Sequence, residues 1–232
     1  MTTPEFPKAL TPKILLEDAH LVVLDKPAGL LSQGEHTGDI NLVDWLRIYF
    51  GRNYVGLVHR LDRNTSGVMV VAKRTKSAQR LTSALQAGEL KRSYVAWVEG
   101  KIEKNLNLEH SLLKNEATNE SRVVRDGTRG AKIARLQARP LAHGNYEGTL
   151  LTLVEVELDT GRSHQIRVQM AHAGHPLLGD RKYARNAKLH GFSRPALHSH
   201  LIEFPHPMGG APVRVECPLP LDLEEIKRVR GE

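Results

Sequence analysis

The sequence predicts an α+β fold on a mixed, mostly antiparallel central sheet. Three observations carry that expectation. Strand-like and helix-like patterns follow one another without a regular β-α-β alternation. Residues 148–158 alternate strictly. Leu150, Thr152, Val154, Val156 and Leu158 share one face, while Leu151 and Leu153 give way to Glu155 and Glu157 on the other. Residues 55–72 hold two apolar runs, 55–58 and 68–72, joined by a charged turn, as neighbouring antiparallel strands are.

A chain of 232 residues suits one large domain, here residues 13–232 behind a tail at 1–12 that holds three of the twelve prolines. Residues 14–20 and 21–25 read as short strands with a turn near Glu17-Asp18. Lys26-Pro27-Ala28-Gly29 is a rigid strand exit: Pro27 fixes φ, Gly29 tolerates a positive one, and Lys26 is held in place. Residues 41–50 form a helix with Leu42, Trp45, Leu46 and Tyr49 on its inner face, Asn41 as N-cap and Gly51 at its end; Trp45 goes to the core. A second helix spans 75–87. Thr75 caps it, Gly88 ends it, Ala78, Leu81 and Leu85 point inward, and Lys76, Gln79, Arg80 and Ser83 point outward.

Residues 91–100 form a strand with Tyr94, Ala96 and Val98 on one face and two cations, Lys91 and Arg92, at its start. Residues 101–119 are polar and patternless, a surface excursion; 122–125 and 132–136 are short strands around a glycine-rich turn. After the strand at 148–158 the chain turns at Gly161 into a helix capped near Ser163, with Ile166, Met170 and Ala173 inward and Gly174 after it. Arg162 and Arg167 lie around its first turns, where free N–H groups favour an anion. A loop at 175–180, strands at 196–204 and 213–216 and a helix at 221–229 complete the chain.

Thirty-three Lys+Arg against 26 Asp+Glu give a net charge of +7, which favours a polyanionic partner. Aromatics at 5% argue against threading a single strand over many stacking platforms. No apolar run approaches the ~18 residues of a membrane span, the N-terminus lacks a secretion signal, and the lone Cys217 cannot form an internal disulfide. A cytoplasmic, soluble protein with no membrane association is expected.

His164, His172 and His175 match no strong metal pattern, and there is no Gly-x-Ser-x-Gly elbow, Walker loop or dinucleotide glycine pattern. Asp62, between Arg60 and Arg63 and beside apolar runs, is either a reactive carboxylate or an ion-paired surface turn.

The stretch His59-Arg60-Leu61-Asp62-Arg63-Asn64-Thr65-Ser66-Gly67 with Ala72-Lys73 resembles the signature of the RluA-type RNA pseudouridine synthases. So, in order, do Leu15 to Gly29, Lys91 to Val98, Gly161 to Val168, His175 to Asp180, Ala196-Leu197-His198 and Phe204-Pro205-His206-Pro207. The resemblance implies isomerisation of uridine to pseudouridine in structured RNA (a stem-loop of rRNA or tRNA), with no cofactor and no metal, by a monomer. The implied fold is a mixed, mostly antiparallel sheet flanked by helices. It makes Asp62 the catalytic carboxylate, acting as nucleophile or as base on the C2′ proton. Tyr94 becomes the ring stacked on the base, Arg167 the partner of Asp62, and Arg60 the residue that fills the vacated stack. Lys26, Lys73, Lys91 and Arg162 are candidate RNA contacts. Gln169 stands where the family often has His, and no room is expected for an N-terminal S4 module before residue 14.

Overall fold

The computed structural model describes residues 6–34, 38–184 and 192–229. In chain order the elements are β1 (Lys13–Glu17), β2 (Leu21–Lys26), α1 (Leu42–Phe50), β3 (Gly56–Leu57), β4 (Ser66–Ala72), α2 (Thr75–Gln86), β5 (Lys91–Glu99) and β6 (Leu106–Asn115). They continue with β7 (Glu120–Val124), β8 (Lys132–Tyr146), β9 (Thr149–Leu158), α3 (Gln165–His172), β10 (Leu197–Phe204), β11 (Val213–Glu216), α4 (Leu221–Glu224) and β12 (Lys227–Val229). The expected α+β class holds. The chain divides into two compact units, Met1–Arg92 with Ser199–Pro218, and Ser93–His198 with Leu219–Glu232.

In the first unit the strands run β1-β2-β4-β10, with β3 on β4 and β11 on β10. β2 and β4 are antiparallel, Lys26 opposite Gly67 at one end and Leu21 opposite Ala72 at the other. All seven residues of β4 are buried, which is why Ser-Gly-Val-Met-Val-Val-Ala reads as an unbroken apolar run rather than an alternating one. Val68, Val70 and Ala72 pack with Leu21 and Val23 against Leu81 and Ala84 of α2. Arg74, in extended conformation, occupies the N-cap position of α2 without a side-chain bond, so Thr75 lies inside the helix and does not cap it. In α1 the Asn41 side chain accepts from Asp44 N at 3.1 Å, and Gly51 leaves at φ 62°. Leu42 and Leu46 take the core-facing stripe. Trp45, expected in the core, is displaced to its edge, half-buried and stacked on the exposed Tyr49 at 4.9 Å.

The second unit is a meander, β5-β9-β8-β6-β7, with β12 paired to β8. Trp97 is its largest core residue, and its indole N–H donates to Leu223 O at 3.1 Å. Three expectations are corrected here. Residues 101–119 are not an excursion: they contain β6, whose Leu106, Leu108 and Leu112 fall on one face among polar neighbours, with His110 interrupting the apolar repeat. The strand expected at 132–136 runs on through Pro140, which sits at a register shift between Pro140 and Ala142, where a missing N–H is tolerated. The C-terminal helix stops at Glu224, and Lys227–Val229 instead pairs with Asn145–His143 of β8, a tertiary pairing that overrides local helix preference.

Candidate active site

The first unit carries Lys26, Arg60, Asp62, Lys73 and Lys91; the second carries Tyr94, Arg162 and Arg167. The segment leading into β4 is pinned at alternate residues. His59 is buried and its Nε2 accepts the Val70 N–H at 3.2 Å. Ser32 Oγ brackets Leu61, donating to its carbonyl at 2.7 Å and accepting its N–H at 3.1 Å. The Arg63 carbonyl accepts from Gly29 N at 2.8 Å and from Lys26 Nζ at 3.1 Å, while Arg63 Nε returns a bond to Gly29 O at 3.2 Å. Thr65 is buried, and its N–H closes a turn onto Asp62 O at 3.0 Å. Among these residues Arg60, Arg63 and Asn64 are exposed and Asp62 is half-buried. The carboxylate therefore stands on a backbone fixed on both sides. Such pre-positioning is what a reacting group requires.

Two residues hold this frame chemically. Gly67 has φ 115°, and a Cβ there would lie 2.2 Å from the Ser199 carbonyl oxygen, so only glycine fits between β4 and β10. His59 is neutral: burial, then the nearby Arg92 charge, holds its pKa down at about 3. Since Nε2 accepts, the ring proton is on Nδ1, which is buried with no hydrogen-bond partner among the described residues.

Of the expected RNA contacts, Lys26 is corrected outright. It is 0% exposed, and its ammonium donates to the carbonyls of Pro27, Leu30 and Arg63 at 3.0, 2.8 and 3.1 Å. A buried ammonium tied to carbonyls cannot meet a phosphate; it clamps the loop at 27–30 to the Asp62 turn. Lys73 follows the far end of β4, roughly 20 Å from Asp62 at ~3.3 Å per strand residue. Its Nζ is bound there to Glu17 Oε1 and Asp18 O, both at 2.7 Å, and Lys73 holds the Glu17 carboxyl below its ordinary range. Lys91 is exposed at the start of β5.

In the second unit Tyr94 is buried in β5, opposite Val156 of β9. Arg167, on α3, is buried and makes a two-point ion pair with the fully buried Asp180: Nε to Oδ2 at 2.7 Å, Nη2 to Oδ1 at 2.8 Å. Ser163 does not cap α3. The cap position belongs to His164, at φ 54°, without a side-chain bond to the helix. The Gln165 side chain closes the turn instead, accepting from Thr160 Oγ1 at 2.8 Å and Arg162 N at 2.9 Å. That N–H is then no anion donor. The exposed Arg162 guanidinium reaches Ile133 O at 2.9 Å. Gln169 is buried and donates to Leu108 O and Ala134 O, a packing role. The three histidines diverge: His164 meets Tyr183, His172 packs edge-on to His110, and His175 meets Glu99 O. Among the described residues no group of three or more His, Cys, Asp or Glu could hold a metal ion.

Ser32, His59 and Asp180 carry much of this geometry, and sequence reasoning gave none of them a role. Ser32 acts on a residue 29 positions away, and nothing local to it signals that contact.

The RNA pseudouridylate synthase family profile matches residues 20–172. A ribosomal large subunit pseudouridine synthase D of Xanthomonas campestris is 36% identical over 95% of this chain and 70% of that protein. A ribosomal large subunit pseudouridine synthase C of Pasteurella multocida is 34% identical over 94% and 67%. The solved human RNA pseudouridylate synthase domain containing 1 superposes with a TM-score of 0.76 at 24% identity, covering 93% of this chain and 86% of that one.

Proposed function

The chain belongs to the RNA pseudouridylate synthase family, and on that premise we propose that it isomerises a uridine of large-subunit ribosomal RNA with Asp62 as the catalytic carboxylate. The isomerisation of uridine to pseudouridine in RNA is the family's activity. The choice of ribosomal over transfer RNA is supported by the relatives, which are ribosomal large subunit pseudouridine synthases. The role of Asp62 is supported above all by its turn, in which His59, Leu61, Arg63 and Thr65 are each pinned and the carboxylate is left half-buried.

The reaction breaks the C1′–N1 bond, turns the uracil and joins C5 to C1′; the C5 proton leaves and the freed N1 takes up a proton, so the product is an isomer of the substrate. Two routes are open to Asp62: attack on the substrate as a nucleophile, or removal of the C2′ proton. A base in a stem must first leave its stack, at a cost of a few kcal/mol. Arg60, exposed two residues before Asp62, is proposed to fill the gap, since a planar guanidinium stacks and meets phosphates where a lysine does so poorly. Tyr94 is proposed to stack on the uracil and Arg167 to keep Asp62 charged. The proposed residues come from one chain, so a monomer suffices, and a ribosomal substrate implies the cytoplasm.

The test is Asp62→Asn on ribosomal RNA from a strain lacking the gene, with pseudouridine mapped by position and tritium release followed from C5-labelled uridine. The wild type should release tritium without free uracil. The variant should bind RNA within about tenfold of wild type and show no turnover, as loss of a group used in the transition state predicts. Residual turnover near wild type overturns the role of Asp62. A new site confined to transfer RNA overturns the choice of substrate. A primary isotope effect with 2′-deuterated uridine selects the C2′ route.

A further inference from the structure

We propose that Asp180 is a positioning residue for the reaction: it fixes the Arg167 guanidinium to the frame of β5, the strand that carries Tyr94. The proposal rests on the roles given to Arg167 and Tyr94 above.

The chain of contacts is continuous. The segment before Asp180 is fastened to β5 by Glu99 N to Pro176 O and by Leu178 N to Trp97 O, both at 2.9 Å. Gly179 then turns at φ 73°, where a Cβ would lie 2.3 Å from the Arg194 carbonyl oxygen, so only glycine fits this close approach. Asp180 follows, fully buried. Its Oδ1 accepts the Lys182 N–H at 3.0 Å and the Tyr183 N–H at 3.3 Å as well as Arg167 Nη2 at 2.8 Å, while Oδ2 takes Arg167 Nε at 2.7 Å. The guanidinium also lies over the Tyr183 ring, 5.2 Å from its centroid. That ring is anchored in turn. Its hydroxyl accepts the Ser121 N–H at 2.9 Å and meets His164 Nδ1 at 2.7 Å. Arg167 is thus gripped along one edge and covered on one face.

A buried ion pair is poor value for stability alone, since apolar residues of like volume often do as well. Its distinctive product is a defined direction for the charge. The planar two-point fork sets the guanidinium plane, which a lysine or a single hydrogen bond would not. Misplacing a reacting group by about 1 Å costs on the order of a hundredfold in rate, so this carboxylate controls turnover without touching the substrate.

The experiment compares wild type, Asp180→Asn and Arg167→Met in single-turnover reactions at saturating RNA, together with RNA affinity. It adds the Arg167 Nε–H resonance in 15N-arginine-labelled protein, assigned by its loss in Arg167→Met. Asp180→Asn should lower the single-turnover rate roughly 10- to 100-fold with RNA Kd nearly unchanged, the mark of an interaction that matters in the transition state. Its Arg167 Nε–H should exchange faster with solvent. In the wild type that proton should be protected from exchange. Rapid exchange there overturns the proposal even where Asp180→Asn does not fold. An inactive Arg167→Met beside a fully active Asp180→Asn overturns this proposal and leaves the role of Arg167 standing. A fully active Arg167→Met overturns the reading of Arg167 and this proposal with it.

Discussion

Lys26 Nζ lies 3.1 Å from the carbonyl oxygen of Arg63, so the end of β2 is tied to the residue that follows Asp62. Gly29 N reaches the same oxygen at 2.8 Å, and the loop between them is therefore closed onto the Asp62 turn by two donors.

Replacing Lys26 by Met keeps the aliphatic stem and removes the donor. The carbonyls of Pro27 and Leu30 lose their bonds to the ammonium, while the desolvation cost of a buried charge disappears. The net destabilisation should be about 2–4 kcal/mol, the scale of orphaned buried acceptors less that offset. Urea unfolding measures it. Below the melting range, the slope of log K against log salt for RNA should match wild type, because a buried ammonium releases no counterion. A slope smaller by about one would make Lys26 a phosphate contact after all.

Gly67→Ala should be more damaging than its single methyl suggests. The Cβ would meet backbone atoms of Ser199, which cannot rotate away, and φ is 115°. Strain at such φ is of the order of 1–3 kcal/mol before the clash is added, so a loss of about 3 kcal/mol or more is expected. Thermal unfolding checks it; a melting temperature equal to wild type would show that β4 and β10 separate freely at this point.

What the sequence disclosed and what it hid follow from the range of the forces. α1 was legible to the residue at its start because Asn41, Leu42, Leu46 and Gly51 are a local code. The apolar run of β4 announced a buried strand, and the charged turn before it announced the candidate carboxylate. Lys26 was misread because its partners include a carbonyl 37 residues away, and an isolated lysine at a strand end looks solvated. β12 was misread for the same reason: Lys227 pairs with Asn145, and no local pattern foretells it. The Arg167–Asp180 pair was the hardest to see, since the family resemblance assigns Arg167 to a different partner, Asp62, and assigns Asp180 none.

Arg60→Ala separates the exposed arginine from the clamped one. Arg60 is exposed on the turn, whereas the Arg63 backbone and side chain bind Gly29 and the side chain also pairs with Asp39 at 2.9 Å. Arg60→Ala should leave the melting temperature unchanged, lower the single-turnover rate on a stem substrate roughly tenfold or more, and have less effect when the target uridine is mismatched and already unstacked. The Arg63–Asp39 pair is half exposed, so Asp39→Ala should alter stability by only about 0.5 kcal/mol. An equal rate loss on paired and mismatched substrates would remove the stack-filling role of Arg60.

His59 gives the protein a calculable acid sensitivity. Its folded pKa, about 3, lies below the ordinary ~6.5 of an unfolded chain, since burial and then Arg92 oppose the proton. Between those values the unfolded chain binds a proton that the folded protein refuses. Stability from this group is therefore complete above pH ~6.5 and falls as the pH drops toward 3, by roughly 1.4 kcal/mol per unit. From pH 7.5 to pH 5 the loss assigned to His59 is on the order of 2 kcal/mol. His59→Gln removes the titration and retains an acceptor for the Val70 N–H. The variant starts less stable at pH 7.5, but its stability should fall less steeply with acid, so that the two proteins converge toward pH 5. Urea unfolding at both pH values measures the two slopes. Parallel slopes would mean that His59 is not held neutral, and that the buried imidazole beneath the Asp62 turn carries its proton on folding.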